Sequence, residues 1–286
     1  MLLKSILVLT LLGWSGSNQT SESRRPRLTD HGNGGLPIGA VLDADGNGFA
    51  LHEPVLLNLR IKNTCTAPVK VDLGPNGRGE LAFTLTLPGG NRSDLPKLKQ
   101  QGLGGFVGGG TIEIEPGETS VTKLVLEEWA GDLVSGTFSV RVRIPTVATK
   151  TCPQEFVETP DFEFHVSGSD QDRLKDVAAG LLDTTTDYKS FDDAATAARA
   201  LCYISDPVAI PTQEKALTSS ANVETVMIDT LRQIGTPQSA EVLMNALKAN
   251  PLAEWAGVAK WSLGVIKSNT ADNALKQRIT EFLLAQ

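Results

Sequence analysis

Asp43, Asp45, Asn47 and Gly48, in the stretch VLDADGNGFALHEP (41–54), fall where the first, third, fifth and sixth positions of a calcium-binding loop would place them. Such a loop holds its ion through oxygens at alternate positions, with a glycine for the sharp turn and a bidentate carboxylate at the twelfth. Pro54 stands at that twelfth position, and Glu53 comes one place early. The flanks PIGAVLD and FALHEPVLL read as strands rather than helices. A polar turn, built from residues that tolerate tight backbone conformations, is the reading the flanks favour. The other is a non-helical calcium site in which Asp43, Asp45 and Asn47 meet a remote carboxylate, making the protein a calcium-stabilised surface module.

The remaining chemistry is sparse. GLGGFVGGG (102–110) has the glycine content of a phosphate cradle, but such a cradle needs a helix N-terminus behind it, and Thr111–Glu115 alternate as a strand. A loop that contacts a partner fits better. No G-x-S-x-G occurs, and Cys202 sits in an apolar helical stretch, as a buried structural thiol does. The three histidines, His31, His52 and His165, are far apart in sequence. Glu127–Glu128 and Asp192–Asp193 are adjacent pairs whose side chains diverge, although folding alone decides whether carboxylates meet across a substrate bond. No catalytic residue and no cofactor is expected.

The elements that must position these residues change character along the chain. Residues 1–17, with Lys4 before an apolar core and Ser15 and Ser17 at the cleavage site, read as a secretory signal peptide; 18–35 read as a disordered polar leader. The protein is therefore expected to be exported, periplasmic or extracellular, with no membrane insertion after signal removal. A formal net charge of −7 argues against nucleic acid and anionic membrane as partners. Three cysteines in an exported chain allow one disulfide and leave one thiol.

From 36 to 167 apolar residues alternate, as in EPVLLNLRIKN (53–63), where Val55, Leu57, Leu59 and Ile61 share a face. PVKVDLG, LAFTLTLP, TIEIEP, SVTKLVL, GTFSVRVRIP and DFEFHV repeat the device, which predicts an antiparallel β-sandwich. FALHEPVLLNLRIKN, IEPGET and SGTFSVRVR resemble an immunoglobulin-like domain of bacterial exported proteins. The chain departs from that pattern at His52, where glycine is usual, and at Phe138, where tyrosine is usual. The resemblance implies that 53–63 and 136–145 are the second and sixth strands, whose following loops share one end. On that basis it implies a Cys65–Cys152 disulfide; two free thiols are the alternative.

After the polar linker SGSDQD (167–172) the period becomes helical, and 168–286 reads as helix pairs. Leu201, Leu231 and Leu263 correspond, as do Ile204, Ile234 and Ile266, and Leu217, Leu247 and Ile279, at steps of about 30 residues. ARALCYISDPVAIPTQEKAL and IDTLRQIGTPQSAEVLMNAL resemble the short HEAT-type (HEAT/PBS-lyase-like) repeats of bacterial proteins, which implies an α-solenoid used for protein–protein contact. Trp129, at a corner between strands, reads as a packing plug. Trp255 and Trp261 are about 120° apart round one helix, which allows one in the core and one as a contact residue.

The fold class expected is multidomain, all-β then all-α. The function expected is an exported, non-enzymatic scaffold or protein-binding module for another exported or envelope protein, acting through its helical repeats and sandwich loops. The alternative is a secreted enzyme or inhibitor-like module with a site at the domain junction.

Overall fold

Alternation decides the first half. The structure is a computed structural model and describes residues 38–74, 77–98, 110–149, 152–186, 190–218 and 224–286. The strands begin with β1 (Ile38–Asp43), β2 (Gly48–Phe49), β3 (Leu56–Asn63), β4 (Val69–Asp72), β5 (Ala82–Thr86) and β6 (Arg92–Asp94). They continue with β7 (Thr111–Ile114), β8 (Thr119–Val125), β9 (Gly136–Pro145), β10 (Phe156–Glu158) and β11 (Phe162–Val166), and one turn of helix, α1 (Glu127–Ala130), follows β8. The seven longer segments expected from alternation are all strands. The two-residue β2, the exposed β6, the short β10 and α1 are too brief for a period to show.

Among the described residues three sheets result. One runs β1-β3-β8, antiparallel throughout. A second runs β2-β11-β9-β5-β6, with β10 also on β9 and the β2–β11 pair parallel. The third is the pair β4–β7. Val55, Leu57, Leu59 and Ile61 are all buried, and share one cluster with Phe83, Phe138, Val140 and Phe164 from the second sheet. Phe138 stacks on Phe164 at 5.4 Å between centroids, so the ring that replaces tyrosine keeps its packing. Trp129 is buried against Phe83 at 4.5 Å.

Turn chemistry closes the strands. In Glu115–Glu118 the Glu118 amide donates to the Glu115 carbonyl, and Gly117 takes φ +80, the conformation a type II turn demands after proline. At Gly110 a Cβ would fall 1.5 Å from the Gly74 carbonyl oxygen, so only glycine lets those two backbones pass.

The second half follows the 3.6-residue period. Its helices are α2 (Gln171–Thr186), α3 (Phe191–Cys202), α4 (Ile210–Thr218), α5 (Glu224–Ile234), α6 (Pro237–Ala249), α7 (Ala256–Asn269) and α8 (Asn273–Leu284), with a 3-10 turn at Pro207–Ala209. Polar side chains cap their starts: Ser190 accepts from Asp193 N, Thr236 from Ser239 N, and Asp272 from Ala274 N and Leu275 N. Pro207 and Pro237 stand in the first turns, where a missing N–H costs nothing. α5 packs on α3 and α7, while α6 packs on α4 and α8, with each helix also touching its sequence neighbour. Leu201, Leu231, Leu263, Leu247 and Ile279 are fully buried in one cluster. Among the described residues no helix is long and apolar enough to cross a membrane.

Candidate functional site

The outward face of the β1-β3-β8 sheet builds the junction with the helices. Leu56 and Val125 are opposite one another in the β3–β8 register and belong to the helical core rather than the sheet's own. Two residues along, Asp43, Asn58 and Lys123 form a polar row across the three strands. A cleft of about 470 Å³ lies at this junction, with Leu56 of the apolar row and Asn58 and Lys123 of the polar row in its lining.

Phe49, Pro54, Leu56 and Leu57 supply its β-side, and Val177, Leu181 and Ala197 its helical side. Arg173, Val177, Leu181 and Thr184 lie three or four apart, so one face of α2 lines the cleft. Two ion pairs cross it from one half to the other. Arg173 Nε lies 2.6 Å from Glu53 Oε2, while its Nη2 donates to Glu53 Oε1 at 2.9 Å and to the Gly48 carbonyl at 2.6 Å. Lys123 Nζ lies 2.7 Å from Asp193 Oδ1 and, by that hydrogen bond, holds the Asp193 carboxyl below its ordinary range. Asp45 also lines the cleft, is exposed, and has no hydrogen bond or ion pair among the described residues.

A buried polar network ties the halves together behind the cleft. Glu128 Oε1 lies 3.0 Å from Arg78 Nη2 and 3.1 Å from Arg199 Nε, so one carboxylate from the sheet side bridges to α3. Burial pushes the Glu128 carboxyl up, against the pull of the two guanidinia. Its neighbour Glu127 turns the other way and accepts the Val55 amide on both oxygens, at 2.9 and 3.1 Å. Burial raises the Glu127 carboxyl to about 8, so it carries a proton at neutral pH. The adjacent acids diverge, as expected, and both act as braces.

His52 is the one non-glycine residue with positive φ among the described residues, at +69°. Glycine adopts that conformation without steric cost. The His52 Nδ1 lies 3.0 Å from Ser205 Oγ, a further contact between the β-rich and helical halves.

The other residues singled out in the sequence are placed as follows. Asp43 accepts from Asn58 Nδ2 on Oδ1 at 2.9 Å and from Arg60 Nε on Oδ2, so calcium there would have to displace a guanidinium. Asp45 faces the cleft, and the Asn47 carbonyl accepts the His165 amide at 2.7 Å. Among the described residues no three of His, Cys, Asp and Glu gather as metal ligands. Cys65 and Cys152 are brought together as neighbouring thiols. Partial burial first, then the hydrogen bond with Cys152, pushes the Cys65 thiol up to about 11. Cys202 is buried, donates to the Ala198 carbonyl at 3.2 Å, and has its pKa raised by burial. Trp255 packs half-buried on the helical core, whereas Trp261 is 60 % exposed with the Arg232 guanidinium 5.3 Å above its ring. The glycine-rich loop, except Gly110, and residues 1–37, which include the leader and signal segments, lie outside the described residues.

Sequence reasoning did not bring Glu53, Lys123, Arg173 and Asp193 together at one cleft. A signal was there: VLL (55–57) and LVL (124–126) break the alternation with outward leucine and valine, which marks a sheet end covered on both faces.

No family model and no curated protein matches the chain. Solved structures overlap it loosely. Native alpha-2-macroglobulin from Escherichia coli shares 12 % identity over 87 % of this chain and 22 % of its own, at a TM-score of 0.29. The crystal structure of the same protein from domain MG7 to the C-terminus gives 11 %, 88 %, 55 % and 0.29 in the same order. Salmonella alpha-2-macroglobulin reacted with methylamine gives 10 %, 87 %, 26 % and 0.29. The chain thus spans between about a fifth and just over half of these proteins, and superpositions of that quality carry neither fold nor function across.

Proposed function

We propose that the chain is an exported, non-enzymatic protein-binding module: an immunoglobulin-like β-sandwich (36–167) carrying a short HEAT-like stack of helix pairs (168–286). Its partner is another exported or envelope protein, engaged on the outer surface of α5 and α7. The observation that carries this reading is Trp261, a large aromatic left 60 % exposed under the Arg232 guanidinium. Tryptophan and arginine are the residue types that most often anchor protein interfaces, and each loses less entropy on docking when already stacked on the other. The Arg78–Glu128–Arg199 ion pairs support it by linking the sheet side to α3. The full chain, immobilised, is expected to capture an envelope protein that the Trp261→Ala, Arg232→Ala double variant loses; undiminished capture by that variant overturns the surface.

A second reading, a secreted enzyme or inhibitor-like module with its site at the domain junction, is favoured by the cleft and by the Ser205–His52 contact. A serine hydroxyl within hydrogen-bond reach of an imidazole has the first geometry that nucleophilic catalysis requires. That reading expects turnover in a broad hydrolase screen, abolished in Ser205→Ala, and an inactive result removes it.

A further inference from the structure

We propose that the junction cleft is a receptor for a lysine side chain presented by the protein partner, its aliphatic stem along α2 and its ammonium at Asp45. This rests on the protein-binding reading and names the chemistry of the partner. The cleft, at about 470 Å³, is in the size range of sites that enclose a small ligand or a short chain segment. Its walls come from both halves, and Leu56, Val177 and Leu181 line it together with the charged groups.

Charge decides the class of occupant. Glu53 and Asp193 are each spent on a cation of the cleft itself, Arg173 and Lys123, through contacts of 2.6 and 2.7 Å. Asp45 is the charge left over, so the lining holds three carboxylates against two cations. An anion entering the cleft would meet the Asp45 carboxylate and would compete with Glu53 and Asp193 for the two cations. A cation meets an unspent carboxylate and breaks nothing. Apolar residues and an unpaired carboxylate lining one cleft match a side chain that buries methylenes and keeps a charged tip wet. Asp45 is exposed, which suits an ammonium that stays partly hydrated. Because the occupant would touch Leu56 on the sheet and Leu181 on the helix, binding also braces the junction.

The probes are Nα-acetyl-lysine methylamide and its Nε-acetylated form, the same stem without the charge. Titrated into the full chain labelled at methyl groups, the charged probe is expected to shift the Leu56, Val177 and Leu181 resonances with a millimolar Kd. The neutral probe should bind about tenfold more weakly, one missing charge contact being worth on the order of a tenfold change. Asp45→Asn, an exposed substitution that leaves the core intact, should weaken the charged probe by the same factor and leave the neutral one unchanged. Equal binding of the two probes, or no shift of the cleft methyls at 50-fold excess over about 1 mM protein, overturns the proposal. Partner capture separates it from the broader reading. Capture lost in Trp261→Ala, Arg232→Ala but kept in Asp45→Asn overturns the cleft alone, while no capture by the native chain overturns both.

Discussion

The β-rich half and the helical half collect their cores in different ways. Strand β9 pairs with β5, β10 and β11, so residues from Ala82 to Val166 meet on one strand. In the helical half, among the described residues, the main helix–helix contacts join helices one or two places apart in sequence. Cooperative loss is therefore expected to be global on the β side and graded on the helical side. The junction is where the two regimes must be reconciled, through Leu56 and Val125 in the helical core and through Glu128 between two arginines.

The sharpest way to break the comparison is to remove that carboxylate. Glu128→Ala leaves Arg78 and Arg199 facing each other in a poorly hydrated pocket, and breaking one partner out of such a buried cluster costs about 3–5 kcal/mol. Hydrogen exchange is expected to show β8 and α3 losing protection together in the native chain. In Glu128→Ala α3 should open first, while β3 and β9 stay protected. Simultaneous opening in the variant would place the coupling in the apolar row instead.

Glu127 gives a pH-dependent version of the same test. Its folded value of about 8 lies above the ordinary 4.5, so the fold takes up a proton there. The stability this contributes is fully present below about pH 4.5 and is lost as pH rises through about 8. The unfolding free energy should fall between pH 5 and pH 9 by up to about 4 kcal/mol, one pKa unit being worth about 1.4 kcal/mol. Glu127→Gln, which keeps an acceptor for the Val55 amide, should flatten that slope. A slope that survives the substitution would assign it to other groups.

The two thiols distinguish the halves by their ends rather than their middles. Cys65 and Cys152 leave β3 and β9 and come together in the β-rich half, whereas Cys202 lies alone in the helical core. Protein purified without reductant is expected to be lighter by two hydrogens and to yield one Cys65–Cys152 linked peptide, the hydrogens leaving through exchange with an oxidised dithiol. Cys65→Ser is expected to lose about 2–4 kcal/mol, as closing a long loop implies. The loss should appear in β-sheet protection and not in that of α5–α7. A linked peptide containing Cys202 would overturn the pairing.

How much of this was legible in the sequence follows from the same difference. Repeats at about 30 residues and a strict period of two are local signals, and the helices and seven long strands fell where those periods placed them. Long-range choices left weaker traces. Nothing within PIGAVLD says that β1 pairs with β3, and nothing in DADGNG says that Asp43 is spoken for by Arg60 and Asn58. The calcium-like spacing belongs to a run that exits an edge strand, so Asp43 serves the sheet while Asp45 faces the cleft. The cleft was hidden for a related reason. Each of its ion pairs joins residues at least 70 positions apart, and only outward-facing Leu56 and Val125 hinted that something covers the sheet end.

His52 offers the finest test, because two small effects of opposite sign meet there. Holding a non-glycine residue at φ +69 costs about 1–2 kcal/mol, and the hydrogen bond to Ser205 returns about 1 kcal/mol. Glycine removes both strain and bond, so His52→Gly should leave stability within about 1 kcal/mol of the native chain. Alanine keeps the strain and loses the bond, so His52→Ala should fall below native by about 1 kcal/mol and below His52→Gly by about 1–2 kcal/mol. Ser205→Ala, which touches the helical half alone, should match His52→Ala if the bond is what holds the turn. Urea denaturation of the four proteins decides it. If His52→Ala equals His52→Gly, the left-handed turn carries little strain, and the contact between the halves rests on the ion pairs and the apolar row.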